Sequence, residues 1–199
     1  MRSAAAKERT SPVIRTARIS DVDAVDRGYT ELLLYQQKHG DTCSWELGEY
    51  PTRDTALQAQ QEGTLFVLEE DGMLCASMIL NHRQDGPFDE IDWQFPAADG
   101  QVMVLHTLCV PPSQTGRGRG TEMVRWAAGH ARACGCTVLR LNAWTENAPA
   151  IALYKKLGFR RAGEAELCLP ETDGTLWRLP MVFFEMETGG AAGAESRPA

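Results

Sequence analysis

Polar and apolar positions along the 199-residue chain first fall into regular order after Pro12. Residues 13–18 read as a short strand. Val22, Val25, Tyr29, Leu32, Leu33 and Tyr35 then recur at helical spacing, with Ser20 placed as an N-cap. Thr52 begins a second helical stretch that stops at Gly63. Two strand-like runs, 64–70 and 73–80, flank Asp71-Gly72, a dipeptide suited to a two-residue hairpin turn. Residues 101–110 are strongly apolar and end at Pro111-Pro112, the pattern of a central strand with a stop behind it. A glycine-rich turn follows, then a helix over about 120–134, a strand over 137–143 and a helix over 148–157. Two last strands, 161–169 and 176–187, are joined around Asp173-Gly174. Strands mixed with helices, with hairpins at both ends, predict one α/β domain over residues 12–187, a mixed central sheet flanked by helices on both faces. Residues 1–11 and 188–199 have the small, polar composition expected of disordered ends.

Composition narrows the class of function. With 43% hydrophobic and 24% charged residues the chain is ordinary globular protein, and no apolar run approaches the roughly 20 residues of a membrane span. Charges near the N-terminus have no apolar stretch behind them, so a secretory signal is not expected and the cytoplasm is. Twenty Lys plus Arg against 27 Asp plus Glu give a net charge of −7, which argues against nucleic-acid or membrane-surface partners and for a small-molecule one. A homodimer is compatible with the sequence. The six cysteines (43, 75, 109, 134, 136 and 168) lack paired C-x-x-C spacing and read as reduced and mostly buried, so no metal is expected.

Chemistry concentrates at Thr115-Gly116-Arg117-Gly118-Arg119-Gly120-Thr121, between an apolar strand and a helix carrying Met123, Ala127, Ala131 and Cys134. A glycine turn there leaves the first helical N–H groups open to an anion and lets the backbone approach phosphate oxygens. Residues 115–140 hold five Arg and one Glu, a local +4 in an acidic chain that implies an anionic ligand. A P-loop would need Lys-Ser/Thr after the glycines, where Thr121-Glu122 stands. A Rossmann turn would need an acid near Leu139-Arg140-Leu141, so both nucleotide readings weaken. Further on, Asn147 can cap a helix that Gly158 ends, and Asn147 and Tyr154 share a face about 10.5 Å apart along it.

Together, the turn and the run N-x-x-A-x-x-L-Y-x-K-L-G-F over 147–159 resemble the GCN5-related N-acetyltransferase (GNAT) superfamily, the likeness extending from Val104 to Gly163. The resemblance implies an acyl-CoA N-acyltransferase-like fold and acetyl-CoA as donor. It implies pyrophosphate binding by Thr115, Gly116, Arg117, Gly118, Arg119, Gly120 and Thr121, and pairing of the pantetheine arm with the strand at Leu108, Cys109 and Val110. Asn147 and Tyr154 would contact the cofactor, and Tyr154 would be the general acid that protonates the departing thiolate. The family's Q/R-x-x-G-x-G/A begins here with Thr115, Gln114 standing one place early, so altered side-chain support with intact backbone binding is expected.

An attacking amine must lose a proton, and family members use Glu, His or water for this. Strand alternation places Val104, His106 and Leu108 on one face, which makes His106 a candidate base; a hydrogen-bonded core histidine is the competing account. Residues 84–100 hold five acids and no Lys or Arg: either a solvated loop, or a site where Glu90 or Asp92, with Trp93, holds a cationic amine. The reading is acetyl transfer to a primary amine of a small molecule. The alternatives are acetylation of a protein N-terminus or lysine, and a CoA-binding module without catalysis.

Overall fold

The computed structural model describes residues 11–40, 43–98, 100–170 and 176–189. The remaining N-terminal residues, most of the 188–199 tail, Asp99 and the Asp173-Gly174 turn lie outside the described residues.

The chain runs β1 (Val13–Thr16), α1 (Val22–His39), α2 (Arg53–Gln61), β2 (Leu65–Glu70), β3 (Met73–Asn81), β4 (Val102–Cys109), α3 (Arg119–Ala133), β5 (Val138–Trp144), α4 (Ala148–Lys156), β6 (Arg160–Pro170) and β7 (Leu176–Glu187). Local chemistry explains most boundaries. Thr52 Oγ1 accepts from Thr55 N at the start of α2, and the hairpin turn needs positive φ at Asp71 (52°) and Gly72 (78°). The start of α1 differs from expectation. A 3-10 turn, Ile19–Asp21, absorbs Ser20, and Asp21 takes over the capping work by accepting from Arg18 N at 2.7 Å. Tyr35 is half exposed and meets the His39 ring at a tilt instead of joining the buried face of Val22, Val25, Tyr29 and Leu33.

One seven-stranded sheet has the order β1-β2-β3-β4-β5-β7-β6. Every pair is antiparallel except β4–β5, where α3 makes the crossover. β7 enters between β5 and β6, an order that no run of the sequence marks. Met123, Val124, Ala127 and Ala131 of α3, with Tyr154 of α4, pack on one face against Leu105, Leu139, Leu141 and Phe184. On the other face α1 and α2 cover Val67 and Ile79, and residues 87–97 cover Val104, Met181 and Phe183.

Two irregularities of β4 open the sheet at its centre. Its parallel pairing with β5 stops at Val104↔Arg140, so both strands run on apart and leave backbone groups facing an opening. On the β3 side, Ile79 pairs with His106 but Ser77 with Cys109, which puts an extra residue into β4. That residue is Thr107, at φ 50°. The bulge breaks alternation: His106 stays on the α1/α2 face with Val104, whereas Leu108 turns toward α3 and packs with Leu105. The expected face of Val104, His106 and Leu108 is corrected accordingly.

Candidate active site

The glycine turn has the predicted form. Gly116 (φ 74°) and Gly118 (φ 77°) are left-handed, and a Cβ at either would meet nothing within 4 Å. Glu122 N donates to Gly118 O, so the N–H groups of 118–121 lack acceptors inside α3, donors of the kind that fit pyrophosphate oxygens. Gly120 serves packing instead, because its Cβ would stand 3.2 Å from Leu153 Cδ2. Thr115 donates both N–H and Oγ1 to Pro112 O, so the cradle begins one residue later.

The side-chain charge of the turn needs correction. Arg117 is exposed at the turn, but Arg119 is only 8% exposed and its guanidinium is taken by Glu70 of β2 and by Glu122. Arg140 is on the opposite face, 4.1 Å above the Trp93 ring, bonded to Gln84 Oε1 at 2.6 Å and to Phe95 O at 3.3 Å. The +4 stretch is therefore spread through the molecule, and at the turn itself Arg117 is the exposed cation beside the backbone amides.

Around the β4–β5 opening the predicted residues fall on two sides. Val110 and Leu108 pack against the α3 side, and Cys109 is buried on the α1 side with its thiol pushed well up by burial. Tyr154 is buried on the α3/α4 side between Phe159 (5.7 Å) and Phe184 (5.9 Å); burial holds its phenol protonated. Asn147 Oδ1 accepts from Ala150 N, which uses that oxygen as the cap of α4. His106 is on the other side, Nε2 3.0 Å from Asn81 Oδ1, its pKa lowered by burial so that the neutral imidazole prevails.

Beside His106 is a cavity of about 410 Å³, whose lining includes Tyr50, Asp54, Asn81, Asp85 and Thr107. Tyr50 Oη and Thr107 Oγ1 are hydrogen-bonded at 2.5 Å. Holding a β-branched residue at positive φ costs on the order of 1–3 kcal/mol. Glu90, Asp92 and Trp93 are not part of this lining. Glu90 and Asp92 are exposed, and Trp93 donates to Phe88 O at 2.8 Å and packs on Phe88 and Phe183. Sequence reading missed Tyr50, Asp54 and Thr107: nothing in a β-branched strand residue announces a left-handed backbone. Asp85 was within reach as one acid of the 84–100 run.

Three cysteines are buried (75, 109 and 136), Cys43 is partly so, and Cys134 and Cys168 are exposed. Among the described residues no helix is long and apolar enough to cross a membrane.

Comparison with known proteins adds an independent line. A sequence model described as acetyltransferase (GNAT) family matches residues 30–159. A GNAT-family acetyltransferase structure from Streptococcus agalactiae superposes with a TM-score of 0.70 at 20% identity, covering 88% of this chain and 95% of that one. The ribosomal-protein-S18-alanine N-acetyltransferase of Escherichia coli does so at 0.66 and 19%, covering 94% and 100%. A Salmonella typhimurium protein, yncA, solved with its cofactor acetyl-CoA, gives 0.66 and 19% with the same coverage, 94% and 100%. At these identities the structural likeness carries the fold. No curated protein sequence matches significantly.

Proposed function

The chain belongs to the acetyltransferase (GNAT) family and transfers acetyl groups from acetyl-CoA; from that premise we propose that its acceptor is a primary amine of a small molecule, acetylated directly within the domain of residues 12–187. The carrying observation is the cavity of about 410 Å³ beside His106, a size typical of small-molecule sites.

When bound, acetyl-CoA supplies an acyl carbon activated by a thiolate leaving group. On this reading the amides of 118–121, with Gly116 and Arg117, bind the pyrophosphate. The backbone of 108–110, beyond the last β4–β5 pair, is available to the extended arm and the thioester carbonyl. His106, kept neutral by burial, accepts the amine proton from the cavity side. Tyr154, kept protonated by burial, donates from the α4 side. Asp54 and Asp85 favour a cationic acceptor in the cavity, a role the sequence had given to Glu90 and Asp92.

The test is a panel of small amines and peptides incubated with acetyl-CoA, following free thiol. Turnover of small cationic amines and none of peptides is expected. A peptide as the best acceptor overturns the small-molecule reading.

A further inference from the structure

We propose that Tyr50 is a positioning residue for acetyl transfer: its hydroxyl holds Thr107 in the left-handed conformation that makes the β4 bulge, and so sets the backbone of residues 108–110. That this backbone faces the thioester rests on the acetyl-transfer reading above.

Thr107 is the outlier from which the argument starts. Left-handed backbone is unfavourable for a β-branched residue, and such strain persists where surrounding structure over-determines it. Thr107 is 7% exposed, and its Oγ1 is bonded to Tyr50 Oη, a group 57 residues away in the segment between α1 and α2. Tyr50 is itself fixed. Its N–H donates to Glu46 O at 3.0 Å, its carbonyl accepts from Glu46 N at 3.1 Å, and its ring meets Trp45 edge-on at 6.0 Å. From this anchored backbone the Tyr50 hydroxyl reaches the one residue of β4 whose backbone is left-handed, while the residue as a whole stays 43% exposed.

That departure decides which way the next residues face. With the bulge, pairing passes from Ile79↔His106 to Ser77↔Cys109 and Leu108 turns to the α3 side. A regular strand would keep Leu108 on the His106 face and rotate every later backbone group. Tyr50 also lines the cavity beside His106, so one hydrogen bond ties the acceptor side to the donor side of the opening.

The test uses the full chain and five variants: Tyr50→Phe, Thr107→Gly and Thr107→Asn, two backgrounds that tolerate left-handed backbone, and Tyr50→Phe combined with each of them. Tyr50→Phe keeps the ring and loses the bond. It should lower kcat about tenfold or more with acetyl-CoA affinity held within about twofold, since sub-ångström misplacement acts on the reacting centre and leaves the phosphate contacts alone. Amide exchange at Leu108 and Cys109 should quicken in the same variant. In the Thr107→Gly or Thr107→Asn background the further change Tyr50→Phe should alter neither kcat nor exchange by more than about twofold, because the backbone no longer needs holding. Unchanged kcat and exchange in Tyr50→Phe overturn the proposal. So does an equal loss in both backgrounds, which would mean that Tyr50 acts on the acceptor and not through Thr107. If the wild-type protein acetylates no amine, the acetyl-transfer reading falls, and exchange at Leu108 and Cys109 still decides whether Tyr50 holds the bulge.

Discussion

Burial shifts Tyr154 and His106 in opposite directions, toward the protonation states that the proposed acid and base need. Desolvation disfavours the charged form of each, which raises the phenol and lowers the imidazole, so at neutral pH one retains a proton and the other lacks one. Tyr154→Phe removes that proton while keeping the packing on Phe159 and Phe184, so kcat should fall by about 10²-fold with little change in acetyl-CoA affinity. Steady-state rates and calorimetry check this; an unchanged kcat would reduce Tyr154 to a packing residue. Tyr154 was legible in the sequence because a helical motif carried it. The bonding of His106 to Asn81 was not, since 25 residues separate the two and only the β3–β4 pairing joins them.

At the scale of the element, the glycine turn separates two kinds of glycine that look alike in sequence. Gly118 needs its left-handed φ and has empty space beside it, so Gly118→Asp should fold, aspartate being tolerant of that conformation. Its carboxylate would face the phosphates, and calorimetry should show acetyl-CoA binding lost. Gly120 is not left-handed and abuts Leu153, so Gly120→Asp should lower the thermal midpoint as well. Normal CoA binding by Gly118→Asp would move the site elsewhere. The turn was readable because strand, glycines and helix are consecutive. The pairing of Arg119 with Glu70 was hidden, because it depends on α3 packing over the end of β2.

Across the whole molecule, charge is organised by tertiary contact. Glu185, fully buried on β7, accepts from Gln94 N and Phe95 N and stands 3.6 Å from Arg160, while Arg140 ties Gln84 and Phe95 O from the neighbouring strand. These bonds pin the acidic loop onto the sheet. Glu185→Ala leaves the Gln94 and Phe95 N–H groups without their acceptor and Arg160 without its partner, and should destabilise by about 1–3 kcal/mol, a drop in Tm of several degrees by thermal unfolding. The same architecture sets which acids meet the acceptor. Asp54→Asn with Asp85→Asn should raise KM for a cationic amine several-fold at low salt, while Glu90→Gln with Asp92→Asn should leave it unchanged. The reverse outcome would return the acceptor to the exposed loop.

Sequence by itself determined the kind and order of the elements, the glycine turn before α3, the Asn147–Tyr154 helix and, through these, the family. Each of those is written in neighbouring residues: helical spacing, an Asp-Gly turn, glycines before a helix, a cap followed by a motif. Tertiary structure alone decided that β7 lies between β5 and β6, that β4 bulges at Thr107, and that Tyr50, Asp54 and Asp85 converge on His106. It also decided that the side chains of Arg119, within the glycine turn, and Arg140, beyond it, are taken up by partners elsewhere. The physical reason is common to all four. Strand order, a strained backbone held by a distant hydroxyl, a cavity wall and a buried ion pair are contacts between segments far apart in the chain, and local propensity carries no record of them.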